Sequence, residues 1–418
     1  MFRFRLHARF GATVERAIVF WMTWFLAGSG WAISSPSLAK SPAAAERVAA
    51  TPRPDPEQLL IEVYKELAAN RLRGALAKAE ILVQAYPNFR LGHLIHGDLL
   101  LMQTHPVTTL GAVNAPEDKL KSLRDEAMVR LKSLRDRPDP DMVPRAVLQL
   151  REDQKQVIVV DAKRSRLYLY RHQGGELKFV TDYYISQGKL GVNKLKSGDQ
   201  RTPIGVYYIT SRLPGARLPD FYGPGALPLN YPNDWDRMNG RSGSGIWLHG
   251  TPSDSYSRPP LSSDGCVVLT NPDLLELIDA VEVGKTPVVI SESVEFVNKT
   301  KWNNVRHLAT RLVEEWRRDV ETGIAGRLME NYSRKFKSER GEDSTTWVGK
   351  QLKTYSGVKN LTLSLRDMTF FLYPGREDMI VGTFTEEAMI GRTKSTIRKR
   401  QYWIREGADW KIVSEAIL

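Results

Sequence analysis

One cysteine stands in the 418 residues of this chain, Cys266, and 17 residues before it stands a histidine, His249. A thiol and an imidazole are the nucleophile and base of acyl transfer. A thiol at its ordinary pKa of about 8.5 is only a few per cent thiolate at neutral pH, and an imidazole that takes its proton removes that handicap. Gly265 precedes the cysteine; without a Cβ the backbone turns sharply there. The N–H groups of Asp264, Gly265 and Cys266, aimed into a cleft, would stabilise an oxyanion. The imidazole also needs an orienting partner on its other nitrogen, for which Asp254 is one candidate and a backbone carbonyl near Gly250 another. By spacing alone, a structural cysteine packed beside the apolar run 267–269 is an equal alternative.

These residues need rigid elements to place them. The apolar triplet 246–248 before His249 predicts a strand end. Around it the hydrophobic period is that of strands: 157–160, a polar turn at 161–164, then 167–171, 179–186, 206–210 and 287–290, punctuated by Gly174 and Gly175. Short strands with Gly and Pro between them predict a mostly-β, sandwich-like or barrel-like domain over 156–293. Asn271, Pro272 and Asp273 read as the cap of a helix over 274–280 rather than as catalytic groups. The loop 221–235, aromatic and polar, either shapes a cleft or simply packs. Ahead of this domain, 57–150 reads as helical, with 72–100 similar to a tetratricopeptide-type hairpin. Beyond it, a helix over 302–331 with Trp302, Val305, Leu308, Leu312 and Trp316 on one face precedes strands at 363–373, 379–385, 397–405 and 410–414. That order predicts an α+β domain over 300–418. The chain is thus expected to be multidomain, within the two to four domains its length suggests.

Composition narrows the setting. The formal charge is +12, with 26% charged and 42% hydrophobic residues. Such a balance favours anionic surroundings, but the basic residues are spread along the chain without a run of nucleic-acid type, and nucleic acid is not expected as a partner. Arg3, Arg5, Arg9 and Arg16 around the apolar run 17–27 read as a signal peptide over 1–39, cleaved after Ala32 or Ala39, or retained as an anchor. A flexible linker over 40–56 follows. The expected location is the periplasm or cell envelope, where a lone cysteine is either inert or a thiol kept for its chemistry. The seven histidines are scattered without zinc-ligand spacing, and no Gly-rich phosphate loop appears; neither metal nor cofactor is expected.

The motif His249-Gly250-Thr251, followed by Ser263-Asp264-Gly265-Cys266-Val267-Val268-Leu269, resembles the L,D-transpeptidase catalytic (YkuD-type) family. The segments 185–188 and 201–207 and the opening hairpin 157–170 are similar to that family's upstream parts. The resemblance implies a cysteine acyl-transferase acting on peptidoglycan stem peptides, with Cys266 as nucleophile, His249 as base, Gly265 as the oxyanion glycine and Ser263 as the motif serine. It implies attack at the L-centre of meso-diaminopimelate in a tetrapeptide stem, release of D-Ala, and transfer to an acceptor amine. The alternatives are an L,D-carboxypeptidase, with water as acceptor, and a non-catalytic wall-binding scaffold. Two positions depart from the family: Asp264 stands where His or Arg is usual, and Val268 where Arg is common. The C-terminal region, through Tyr402-Trp403-Ile404 and 410–413, resembles the NTF2-like family. The two together resemble the shape-determining L,D-carboxypeptidases of curved and helical bacteria. A protein partner could dock through the N-terminal helices or the C-terminal domain; the sequence leaves the oligomeric state open.

Overall fold

In this computed structural model, residues 54–107, 109–111, 116–358, 360–390 and 392–418 are described. The signal-peptide reading of 1–39 and nearly all of the linker lie outside them. Among the described residues no helix is long and apolar enough to cross a membrane.

Asp55 caps the first helix by accepting the Glu57 amide, and Pro56 presets its first turn. Four helices follow in order: α1 Pro56–Ala68, α2 Leu72–Ala85, α3 Arg90–Leu101 and α4 Glu117–Arg135. Their apolar stripes, including Leu60, Val63, Ala79, Leu82, Leu91 and Ile95, close a small core of their own. The last of these helices ends at Arg135, short of the bound of 150 drawn for the helical region. Residues 143–149, expected within it, are extended as Val143–Pro144 and Val147–Gln149; Pro138, Pro140 and Pro144 cannot continue a helix.

Two sheets form the middle of the chain. The larger runs in the order Glu176–Tyr184, Arg166–Gln173, Gln156–Asp161, Pro287–Ser291, Gly205–Tyr208. Its two central strands are parallel, and Val288 lies opposite Ile158. The smaller runs Val267–Val268, Trp247–His249, Gly225–Pro228, Leu213–Pro214. Ile158 and Val160 from the first and Leu227, Leu248 and Val267 from the second meet in one core. Strand alternation sends Val157 and Val159 to the opposite face, into a second core shared with the C-terminal region. The strand 156–161 is therefore covered on both faces, which explains its unbroken β-branched run.

The short helix α5, Asp234–Met238, carries an Asn233–Asp236 capping box. The helix α6, Asn271–Ala280, is capped by Thr270, whose hydroxyl accepts the Asp273 amide. The cap therefore sits one residue before the expected Asn271, whose side chain is used elsewhere. The helix expected over 302–331 is two, α7 Lys299–Thr322 and α8 Ala325–Glu330, divided at Gly323, which is left-handed with φ 65°. A further helix, α9 Ser344–Thr354, has no counterpart in the sequence reading.

The last sheet runs Asp409–Ile417, Thr393–Glu406, Met379–Ile390, Leu363–Leu372, Val147–Gln149, all antiparallel. Its fifth strand precedes all the strands of the two middle sheets in sequence. A cavity of about 330 Å³ opens beside α9, with Trp347, Gln351, Tyr355, Lys399 and Glu415 in its wall.

Candidate active site

The strand Trp247–His249 lies between Gly225–Pro228, antiparallel, and Val267–Val268, parallel. Leu248 is opposite Val267 and His249 opposite Val268. Leu248 and Val267 are buried in the sandwich core, and the next residues on their strands, His249 and Val268, are buried as well. Cys266 lies one residue before the strand Val267–Val268, so the register sets the strand that ends in His249 beside the residues that follow Cys266. Strand pairing, which no 17-residue spacing discloses, brings the two segments together.

His249 is 1% exposed. Its Nδ1–H donates to the Gly250 carbonyl at 2.7 Å, an assignment that follows because a carbonyl only accepts. This leaves the Nε2 lone pair as the basic site. Asp254 does not orient the ring; its carboxylate accepts from the Ser255 hydroxyl instead. Two aromatic rings wall the imidazole, Tyr222 at 5.0 Å and Phe221 at 5.8 Å between centroids. Burial among them pushes the His249 pKa down to about 4, with the Arg258 cation adding to the shift. Gly250 is obligatory here: a Cβ would fall 2.3 Å from Asn271 Oδ1. That oxygen accepts the Thr251 amide at 2.8 Å.

Cys266 is half-buried. Its thiol donates to the Gly245 carbonyl at 3.3 Å. Among the described residues, no hydrogen bond joins it to His249. Burial pushes the thiol pKa up, while the Trp247 amide and the Arg258 cation pull it down less strongly. Neutral thiol and neutral imidazole are therefore the resting forms at pH 7.

The motif serine fixes the loop that carries the thiol. Ser263 Oγ donates to the Cys266 carbonyl at 2.6 Å and accepts the Gly265 amide at 3.1 Å. The Gly265 N–H, expected to face an oxyanion, is thus engaged by Ser263 in this structure. The Cys266 N–H has no hydrogen-bond partner among the described residues. Gly265 has φ 132°, and a Cβ there would meet the Arg201 carbonyl at 2.8 Å. Thr202 hydroxyl donates to the Gly265 carbonyl at 3.0 Å and accepts the Gly188 amide at 3.0 Å. This is what the two upstream segments at 185–188 and 201–207 contribute: they brace the nucleophile loop. Asp264 points outward, bonded to Lys189 at 2.9 Å and Gln200 at 3.2 Å. Lys189 holds that carboxyl below its usual range, so its effect in raising the thiol pKa is minor.

Sequence reasoning missed Thr202, Tyr222, Gly245 and Arg258 as individual residues. Thr202 lies inside a quoted segment and Tyr222 inside the quoted loop, but nothing in their type singles them out. Arg258 lies in an irregular loop with no periodicity to orient it. Among the described residues, no cluster of three or more His, Cys, Asp or Glu is placed to hold a metal.

Residues 155–290 match the model of the L,D-transpeptidase catalytic domain, YkuD. The chain carries an L,D-transpeptidase catalytic domain. Residues 308–416 match the Cds6 C-terminal NTF2-like domain, so the architecture is a helical N-terminal region, a mostly-β catalytic domain and an NTF2-like C-terminal domain. Among solved structures, Bd1075 of Bdellovibrio bacteriovorus is similar at 27% identity and a TM-score of 0.58, covering 66% of this chain and 98% of that one. The helical cell shape determining protein Pgp2 of Campylobacter jejuni matches at 22% identity and a TM-score of 0.56, covering 68% and 97%; that likeness is one of fold. No curated protein matches the chain.

Proposed function

We propose that this chain is a cysteine enzyme of peptidoglycan that cleaves the bond between meso-diaminopimelate and D-Ala in tetrapeptide stems, working at the cell envelope. What carries the reading is the strand ending in His249 paired beside the residues that follow Cys266, with the His249 Nε2 left free by the Nδ1–Gly250 bond.

In the mechanism, Cys266 Sγ attacks the carbonyl at the L-centre of the diaminopimelate as its proton passes to His249 Nε2. A positioned base of this kind contributes typically 10²–10⁴-fold. The Cys266 N–H, unengaged within the protein, donates to the oxyanion of the tetrahedral intermediate. Collapse breaks the C–N bond, and the imidazolium returns its proton to the departing D-Ala amine. The thioester is then resolved when neutral His249 takes a proton from the acceptor.

Water is the acceptor we favour, giving tripeptide stems. Two features support it over a stem amine. An L,D-transpeptidase catalytic domain and an NTF2-like domain occur together, as in the carboxypeptidases the sequence resembles. The cation common in the family at position 268 is replaced by buried Val268.

Mass spectrometry of purified tetrapeptide muropeptides incubated with wild-type and Cys266→Ala protein tests this. Cysteine-dependent tripeptides and free D-Ala are expected. Cysteine-dependent dimers would make the protein a transpeptidase, and unchanged substrate with wild type would leave the scaffold reading in its place.

A further inference from the structure

The loop 251–260 is gripped from outside the catalytic domain. Asn88, at the start of α3, donates its side-chain amide to the Ser253 carbonyl at 3.0 Å, and the Asn88 carbonyl accepts the Tyr256 amide at 3.2 Å. Ser257 donates to Glu126 of α4 at 2.7 Å. The Tyr256 ring lies 5.0 Å from Tyr86 and 4.7 Å from Phe89.

What the grip presents to the site is Arg258. Its guanidinium stacks 4.3 Å from the Phe221 centroid, and one N–H reaches the Phe221 carbonyl at 3.3 Å. Phe221 in turn faces His249. Among the described residues no carboxylate stands within ion-pair distance of Arg258. Two other cations near the thiol, Lys189 and Lys194, are each closed by a carboxylate, Asp264 and Asp199. A guanidinium stacked on an aromatic face keeps its edge donors free, in the fork geometry that fits a carboxylate.

We infer that Arg258 supplies the cation that the motif lacks at position 268 and holds the terminal carboxylate of the leaving D-amino acid while the adjoining carbonyl lies at Cys266. Arg258 then determines specificity for stems with a free C-terminal carboxylate. The inference rests on the proposed substrate, but the charge preference it assigns to the cleft does not.

A single cysteine allows a test without substrate. Alkylation by iodoacetate or iodoacetamide forms the same C–S bond with loss of iodide and a thiol proton; only the first reagent carries a carboxylate. In the full chain at low salt, the iodoacetate-to-iodoacetamide rate ratio at Cys266 is expected to fall about fivefold in Arg258→Gln and to stay near wild type in Arg258→Lys. The KM for a tetrapeptide stem is expected to rise about tenfold in Arg258→Gln, while that for its C-terminal amide does not. A ratio unchanged in Arg258→Gln overturns the inference even where tetrapeptide turnover is intact. A fallen ratio with no turnover by wild type upholds the carboxylate site and overturns the proposed substrate instead.

Discussion

His249 and Cys266 are tuned in opposite senses by the same cause, burial, and the pH behaviour follows from it. Catalysis needs the imidazole neutral. With its pKa lowered to about 4, the acid limb of kcat/KM is expected near pH 4, well below the ordinary histidine value of about 6.5. The raised thiol pKa predicts iodoacetamide labelling of Cys266 that climbs past pH 9 with no plateau near neutrality; a plateau below pH 7 would show a preformed thiolate. The same burial enters stability. A histidine that binds its proton less readily when folded costs nothing above pH 6.5, begins to destabilise below it, and has its full effect of about 3 kcal/mol below pH 4. His249→Gln is expected to flatten the fall in Tm between those values. Ser263 positions Cys266, the proposed nucleophile, without reacting. Ser263→Ala leaves a buried Gly265 N–H and a part-buried Cys266 carbonyl unpaired, a loss of about 1–3 kcal/mol for the buried group and less for the other. Misplacing the thiol should lower kcat about tenfold or more, read in the tetrapeptide assay.

At the scale of elements, the helices α1–α4 bear on the candidate site although none of its proposed reacting groups lies on them. They hold the loop after His249 through Asn88, Glu126 and the Tyr86–Tyr256–Phe89 cluster. Tyr256→Ala removes an aromatic side chain from that junction, with an expected cost of about 3 kcal/mol. Turnover should fall while intrinsic labelling of Cys266 by iodoacetamide persists, because the segment that carries the thiol is braced by Ser263 and Thr202 and not by this loop. Equal loss of both would show that the helices support the whole catalytic domain rather than this loop. Much at this scale was legible in the sequence. Strong periodicity gave the strands from 157 to 171 and the helices α2 and α3, because apolar spacing and chain geometry agree there. It merged α7 and α8, since the period on either side of Gly323 is continuous and only a left-handed φ breaks it. It passed over α9, whose two buried residues, Val348 and Gln351, make a weak stripe.

In the whole molecule, the catalytic sheet is built with its second face covered. Val157, Val159, Tyr168 and Tyr170 bury against the same core as Trp316, Phe370 and Trp403 of the C-terminal region. Val147–Gln149, ahead of the catalytic domain in sequence, is an edge strand of the C-terminal sheet. A chain ending at residue 298 would leave that core open and one strand without its partner. Such a truncation is expected to be insoluble or to lose its cooperative thermal transition; a soluble, active fragment would show the C-terminal domain to be an independent unit.

The sequence by itself supplied the candidates for chemistry. One cysteine after a glycine, a histidine at the end of an apolar triplet, and the motif serine between them are residue types that acyl transfer uses, and their motif carries the family resemblance. It also determined where helical and strand periods change, since those follow from local spacing. The tertiary structure alone decided that the strand ending in His249 pairs with the strand following Cys266, because register is set by the buried Leu248–Val267 pair and not by the distance along the chain. It decided that Gly250 rather than Asp254 orients the imidazole, that the Gly265 amide bonds to Ser263, and that Arg258 stacks on Phe221, which faces His249. Each of these depends on where an irregular loop is pinned by residues far from it in sequence, and local periodicity carries no record of such contacts.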